Sequence, residues 1–137
     1  MAINTTSIQH VRLTVTEIAR SRNFYDSVFG WPVMLEVPDD ADAETREKLW
    51  FLFGGVIYRT GDILIGLRPV GQDKFDEDRV GLDHLAFGLT TKDELEAAAA
   101  DLDDLGIPHE PIKDIGISHI LEFRDPDNIA LELIALK

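Results

Sequence analysis

Apolar and polar residues alternate along the segment IQHVRLTV, positions 8–15, close to the N-terminus. Alternation with a period of two predicts a β-strand that packs one face against other apolar groups. The apolar parity consists of Val11, Leu13 and Val15. The other parity carries His10 and Arg12, so this second face borders either solvent or a binding site. One strand does not distinguish these two possibilities.

This pattern occurs twice in the chain. The sequence from Leu82 onward repeats the sequence from Ile8 onward, and the repeat aligns His84 with His10. In each copy, a segment with apolar residues at helical spacing follows the strand and ends at a Gly-x-Pro triplet. At their ends the two copies align GDILIGL with DNIALEL. An internal repeat of this length indicates two copies of one supersecondary unit.

Each copy predicts one βαβββ module, the first at about 6–69 and the second at about 80–137. Two such modules predict an α+β fold in a single domain, 1–137, whose curved mixed sheet forms a cup with helices on its convex face. Because only the apolar parity can be buried against the helices, His10 and His84 both face the concave side. An acidic insertion in the first module, EVPDDADAETREKLW, is a solvated loop, a short helix or a lid.

A carboxylate interrupts the last predicted strand of the second module. Leu131 and Leu133 have the parity that faces the helices, so Glu132 points into the concave side. A carboxylate on an otherwise apolar strand is unfavourable unless another group pairs with it. A divalent cation held with two imidazoles is such a group.

His10, His84 and Glu132 therefore form the set of a two-histidine, one-carboxylate facial triad. This donor set suits Fe(II) foremost and also accommodates Mn(II) or Zn(II), with positions left open for substrate or dioxygen. The first-module position that aligns with Glu132 is Gly66, which offers no ligand. The alternative is that the histidines are solvated and that Glu132 pairs with Arg12.

The composition excludes several classes of function. The chain has 26 acidic and 13 basic residues, a formal net charge of −13, and no Lys/Arg run that could neutralise several phosphates. Nucleic acid and anionic membrane surfaces are therefore not expected as partners. There is no cysteine, which removes disulfides, thiolate metal sites and cysteine nucleophiles. The N-terminus lacks a signal-peptide pattern, so a cytoplasmic location is expected.

The repeat, the opening histidine strand, the helix end RNFYDSVFGWPV and the segment FRDPDNIALEL together resemble the vicinal oxygen chelate superfamily, the glyoxalase, bleomycin-resistance and dioxygenase group. The resemblance assigns the members' metal ligands to His10, His84 and Glu132. Glyoxalase I and methylmalonyl-CoA epimerase take a fourth ligand at the position of Gly66, so the extradiol dioxygenases are favoured. Fosfomycin-resistance thiol transferases share the three ligands but extend further beyond the glutamate than Lys137, which disfavours them.

Glu122 is a candidate acid/base residue. If Asn128 takes a left-handed conformation after the DPD turn, the hairpin register places Glu122 opposite Glu132, facing into the cup. The extradiol enzymes carry a tyrosine at the aligned position, so their proton donor is absent here. Glu122 either takes an acid/base role with a raised pKa or is solvated.

Four further residues are candidates for the substrate pocket. Trp50 and Tyr58 are predicted to form an aromatic wall, which suits a planar, apolar substrate. Arg12 is predicted to anchor an oxyanion or phenolate, or alternatively to pair with a carboxylate of the cup. His119 is either a proton shuttle or a strand-edge residue.

Two functions follow as hypotheses. The first is a metal-dependent, dioxygenase-like enzyme that binds neighbouring oxygens of a small, planar or aromatic substrate at a divalent metal. The second is a metal-free protein that sequesters a planar antibiotic or toxic natural product, as bleomycin-resistance members do; an acidic protein suits a cationic drug. The resemblance also implies a homodimer, whose cup forms within one chain or from halves of two chains.

Overall fold

The computed structural model describes all residues from 1 to 137 and divides into two compact units, Met1–Gln72 and Asp73–Lys137. We call them the first and the second module. Both contain one βαβββ unit, which confirms the predicted α+β class built from two half-modules. None of the helices combines the length and the apolar character that a bilayer-spanning segment requires.

The first module is a four-stranded mixed sheet with one long helix. Its elements in chain order are β1 (His10–Thr14), α1 (Ile18–Val28), β2 (Val33–Glu36), α2 (Ala43–Lys48), a 3₁₀ turn (Trp50–Leu52), β3 (Val56–Thr60) and β4 (Ile63–Arg68). The strand order is β1-β4-β3-β2, in which β1 is parallel to β4 and the other neighbours are antiparallel. β1 is therefore an edge strand of its sheet.

The second module repeats this topology. Its elements are β5 (Leu85–Leu89), α3 (Lys92–Asp104), β6 (Lys113–Asp114), β7 (Ser118–Arg124) and β8 (Ala130–Leu136). The strand order is β5-β8-β7-β6, again with a parallel first pair and antiparallel neighbours. The side chain of Thr91 caps α3 by accepting a hydrogen bond from the Glu94 amide at 3.2 Å.

One face of each sheet packs against the helix of its own module. In the first module Leu13 and Val15 are buried, as the alternation predicts, together with Phe24 and Tyr25 of α1. The buried side chains of the second module include Leu95, Leu102, Leu121, Leu131 and Leu133. We call the opposite face of each sheet its open face, and it carries the polar parity of the strands.

The acidic insertion of the first module forms the short, exposed helix α2. Asp42 caps it by accepting a hydrogen bond from the Thr45 amide at 2.8 Å. The next residues form the 3₁₀ turn, and Phe53 then has a left-handed φ of 52°. Strand β3 consequently begins only at Val56.

The hairpin before the last strand differs between the modules. In the first, Gly61, with a φ of 56°, turns the chain in a two-residue loop. In the second, five residues separate Arg124 from its partner Ala130, and Asn128 has a φ of 68°. A left-handed Asn128 is the condition under which the sequence predicts the register of the β7–β8 hairpin, and the structure meets this condition.

Candidate functional site

Glu132 lies on the open face of the second module. It pairs in register with Ala86 on β5 and with Glu122 on β7. Cross-strand partners point to the same side of a sheet, so Glu122 and Glu132 share the open face, as the predicted hairpin register requires. Only 7% of Glu132 is exposed, so its carboxylate needs a partner that compensates for lost water.

His84 is a partner of this buried carboxylate. It stands directly before β5, and its Nε2 lies 3.1 Å from Glu132 Oε2. Its Nδ1 lies 2.5 Å from Asp83 Oδ1. The hydrogen bond to Asp83 raises the pKa of His84, and the negative charge of Glu132 acts in the same direction. A metal-binding histidine typically has one ring nitrogen hydrogen-bonded to a carboxylate, as Nδ1 is to Asp83, while its other nitrogen faces the metal and its co-ligands, as Nε2 faces Glu132.

Glu122 stands next to Glu132 across the strands but has its own partner. Its Oε2 accepts a hydrogen bond from Lys113 Nζ at 3.0 Å, and this hydrogen bond raises the pKa of Lys113. The Glu122 side chain is 43% exposed. It is thus an ion-paired carboxylate that solvent, or a ligand on the open face, can reach.

These residues border a pocket of about 440 Å³ in the second module, which we call the carboxylate pocket. Its ionisable lining consists of Glu77, Asp83, His84, His109, Glu110, Lys113, Glu122, Arg124 and Glu132. Arg124 is held by Glu77 with N–O distances of 2.9 and 2.7 Å, and this hydrogen bonding lowers the pKa of Glu77 to about 2. The remaining excess of carboxylates favours a cation in this pocket.

His10 and Arg12 occupy the open face of the first module. The exposed His10 ring is hydrogen-bonded through Nδ1 to the side-chain oxygen of Gln9. Arg12 donates from Nη2 to the Phe51 carbonyl, while its Nε is buried without an acceptor. Burial lowers the pKa of Arg12, and the nearby positive charge of Arg68 adds to this effect. Arg12 therefore has no carboxylate partner in the structure.

Arg12 also borders a second pocket, of about 310 Å³, which we call the arginine pocket. Its other lining residues are Gln9, His10, Phe51, Ile57, Leu64 and Gly66. The combination of apolar walls and one guanidinium is typical of a site for a small organic molecule with an anionic group.

The three predicted metal ligands are divided between the modules. His84 and Glu132 come together in the second module, whereas His10 belongs to the first. Neither module by itself gathers three His, Asp or Glu side chains into a metal-binding group. Gly66 pairs with Arg12 and, as expected, offers no ligand atom.

Tyr58 does not line either pocket. It is fully buried, and its hydroxyl donates to Asp26 Oδ1 on α1 at 2.8 Å. Burial raises the pKa of Tyr58, and the hydrogen bond to Asp26 raises it further. This placement corrects the prediction that Tyr58 belongs to an aromatic wall, because Tyr58 pairs with the buried Ile65 of β4 and shares its helix-facing side.

His119 also lies away from the open face. It shares the parity of Leu121 and Phe123 on β7, both of which are buried. Its Nε2 is 3.8 Å from Asp114 Oδ2 on the edge strand β6. The structure thus places His119 on the inner strand β7, outside both pockets. This placement corrects the assignment of His119 to the substrate pocket, and it does not make His119 a strand-edge residue.

Trp50 is 68% exposed, and its neighbour Phe51 is the aromatic residue that lines the arginine pocket. The Trp50 ring lies 6.3 Å from the Phe51 ring and 6.2 Å from the Phe53 ring, measured between centroids. Sequence reasoning missed Phe51 because a 3₁₀ turn has no strand parity. It also missed Arg68, although Arg68 shares the parity of Gly66 on β4 and could have been found from it.

Comparison with known proteins shows which family has this architecture. The sequence of residues 7–133 matches the family model of the Glyoxalase/Bleomycin resistance protein/Dioxygenase superfamily. The chain belongs to this superfamily. The match covers both modules and thereby confirms the resemblance seen in the sequence. A search of the curated proteins found no match.

Solved structures of the superfamily superimpose on nearly the whole chain. A glyoxylase/bleomycin resistance protein/dioxygenase domain from Frankia sp. EAN1pec has 27% identity and a TM-score of 0.76, over 98% of this chain and 100% of that one. Lactoylglutathione lyase from Agrobacterium tumefaciens has 20% identity and a TM-score of 0.71, over 96% and 95%. A mutant of the fosfomycin resistance protein FosX from Listeria monocytogenes has 17% identity and a TM-score of 0.76, over 98% and 95%. The last two likenesses show the fold alone.

Proposed function

We propose that this protein is a metal-dependent enzyme that acts on a small, planar or aromatic substrate with two neighbouring oxygens. The observation that carries the proposal is the buried carboxylate of Glu132, which faces His84 Nε2 at 3.1 Å. The FosX mutant structure, which holds Mn(II) together with 1S,2S-dihydroxypropylphosphonic acid, supports a metal and a substrate with adjacent oxygens in this fold.

The residues present fit a divalent cation. Glu132 and His84 supply one oxygen and one nitrogen donor, and Asp83 holds the Nδ1 side of the His84 ring so that Nε2 is the ligand atom. His10 is the third ligand in this proposal, supplied by the same chain or by a second copy in a homodimer. The donor set favours Fe(II), with Mn(II) or Zn(II) as alternatives.

When bound, the metal supplies Lewis-acid polarisation of the two substrate oxygens and, as Fe(II), a site for dioxygen. The other tasks belong to side chains. Glu122 accepts or returns a proton at its free Oε1, because Oε2 is engaged by Lys113. Arg12 binds an oxyanion of the substrate beside Phe51, and the exposed Trp50 contacts the Phe51 ring edge-on. Extradiol-type ring cleavage is the reaction that we propose.

The metal content of protein purified without chelator tests this function. Inductively coupled plasma mass spectrometry is expected to find near-stoichiometric iron, manganese or zinc in the wild type and only background in Glu132→Ala and His84→Ala. The matched control is Glu122→Ala, which removes the adjacent carboxylate and is expected to keep the metal. A wild type that stays metal-free even after anaerobic loading with Fe(II) contradicts the proposal.

The carboxylate pocket favours one second candidate, sequestration of a planar cationic compound without turnover. Five carboxylates line it against two basic residues, and those two are already ion-paired. In this case metal-free protein is expected to bind a planar cationic dye such as proflavine in a 1:1 complex. Binding that competes with the metal and shows no chemical change of the ligand would select this function over the enzyme.

A further inference from the structure

Two arginines lie around one phenylalanine ring on the open face of the first module and have no carboxylate partner. Arg12 and Arg68 lie on the neighbouring strands β1 and β4, and neither forms an ion pair with a carboxylate. Other basic side chains of this acidic chain form ion pairs with carboxylates, among them Lys113, Arg124 and Arg22. Two neighbouring cations that repel each other favour the binding of an anion between them.

An aromatic loop organises the two guanidiniums. The Cζ of Arg68 lies 4.3 Å from the centre of the Phe53 ring, and the Cζ of Arg12 lies 6.0 Å from it. Phe53 adopts a left-handed φ of 52°, which is unfavourable for a bulky side chain and persists only where the surroundings impose it. The Phe51 carbonyl binds Arg12 Nη2, so the loop contacts both arginines.

Gly66 makes room for Arg12. The two residues pair across β1 and β4, and a Cβ built on Gly66 would lie 3.0 Å from Arg12 Cγ. The aliphatic part of Arg12 therefore lies over the backbone of Gly66 and carries the guanidinium across the open face. A larger residue at 66 displaces this side chain.

From these contacts we propose that the first module contains a binding site for an organic carboxylate, in which Arg12 and Arg68 bind the anionic group and the arginine pocket takes an attached planar ring. The planar guanidinium matches a carboxylate with paired hydrogen bonds. The ring contacts Phe51, Ile57 and Leu64, which form the apolar walls. With a net charge of −13, the protein disfavours polyanions and so favours a ligand with a single charge.

The site extends the function proposed above, which uses Arg12 alone, and it does not depend on a metal. None of the residues that form it is needed to explain the contact between His84 and Glu132. Metal binding and carboxylate binding can therefore succeed or fail separately.

The test is a ¹⁹F NMR titration of the full chain, after treatment with EDTA, with 4-fluorobenzoate. The neutral analogue 4-fluorobenzamide has nearly the same shape and serves as the matched ligand. We expect the carboxylate to bind about tenfold more tightly than the amide or better, since a charge-assisted hydrogen bond contributes that much.

Three variants locate the anion. Arg12→Gln and Arg68→Gln are each expected to weaken binding of 4-fluorobenzoate by about tenfold, and Gly66→Ala by about fivefold. Arg20→Gln is the control, because Arg20 is an exposed arginine of α1 in the same module, on the helix side of the sheet, and its Nη2 donates to Thr16 Oγ1 at 2.9 Å. It is expected to change binding less than about twofold. Far-UV circular dichroism checks that each variant keeps its fold.

Three results would overturn the proposal. Equal affinity for 4-fluorobenzoate and 4-fluorobenzamide would mean that the pocket recognises only the ring. A loss in Arg20→Gln as large as that in Arg68→Gln would mean that the anion responds only to the general surface charge. Binding that disappears on EDTA treatment and returns with metal would mean that the carboxylate is a metal ligand. The comparison of 4-fluorobenzoate with 4-fluorobenzamide and the Arg68→Gln variant are enough to distinguish these results. The proposal can therefore be decided even if Arg12→Gln folds poorly.

Discussion

The two modules share a backbone plan but differ at one equivalent pair of residues. In the first module Arg12 on β1 faces Gly66 on β4, and in the second Ala86 on β5 faces Glu132 on β8. The large polar residue is on the first strand of the first module but on the last strand of the second, and its partner is small in both cases. The repeat thus preserves the register and the available volume, and it lets each open face carry a different charge.

The surroundings of these pairs differ in the same sense. Arg12 has a second arginine and two phenylalanines nearby, whereas Glu132 has His84 and further carboxylates. One open face is therefore suited to an anion with an apolar ring, and the other to a cation. The two copies of the unit thus present similar backbones whose open faces carry side chains of opposite charge.

The largest expected effect comes from truncating equivalent core leucines. Leu67 and Leu133 occupy matching positions of the last strands, and both are buried. Each change to alanine is expected to lower the free energy of unfolding by about 3 kcal/mol. Both tryptophans, Trp31 and Trp50, lie in the first module. If the two modules unfold independently, Leu133→Ala shifts the urea transition seen by circular dichroism and leaves the tryptophan fluorescence transition in place.

Coincident shifts of both signals in Leu133→Ala would contradict this expectation, since they would mean that the modules unfold as one cooperative unit. Leu67→Ala is the complementary control, because it should move the fluorescence transition.

The hairpin turns should show an intermediate effect. Asp125 is 5% exposed, and its Oδ1 accepts hydrogen bonds from the amides of Asp127 and Ile129 at 2.9 and 2.8 Å. Asp125→Ala leaves these donors unsatisfied and is expected to lower the stability of the second module by about 2 kcal/mol. Gly61→Ala in the first module, at a φ of 56°, should lower stability by about 1 kcal/mol. Urea titrations measure both, and equal effects would argue against the importance of the side-chain-bonded turn.

The smallest expected effect is on the stability of the protein at acidic pH. The pKa of Glu77 is lowered to about 2 by Arg124, from an ordinary value of 4.5. A lowered folded-state pKa contributes stability above the unfolded value, and this contribution is lost as the pH falls from about 4.5 to about 2. Glu77→Gln is therefore expected to flatten the acid limb of stability against pH. The exposed Glu96→Gln, from the Lys92 pair within α3, is the control, and an identical flattening there would refute the assignment.

Much of the fold could be predicted from local pattern. The repeated unit, the strand parity around His10 and the turn at Asn128 can each be read from short stretches of sequence. The left-handed conformation considered for Asn128 was the feature that set Glu122 opposite Glu132. The pairing of His84 with Glu132 also agrees with parity, because an in-register sheet turns parity directly into proximity.

Packing between distant segments decided the rest. The WFLFGG loop lies against β4 so closely that a Cβ on Gly55 would meet the Leu67 carbonyl at 1.9 Å. From this loop Phe53 reaches the two arginines, and in the following strand Tyr58 lies on the buried face opposite Ile65.

The sequence by itself determined the two modules, their strand faces and the carboxylate opposite the histidine, because periodicity and turn chemistry act over a few neighbouring residues. Only the tertiary structure decided which aromatic side chains reach an open face and that Arg12 and Arg68 meet around Phe53. Those contacts join β1 to a loop 39 or more residues further along the chain and join that loop to β4. No periodic pattern encodes where an irregular loop packs on a sheet.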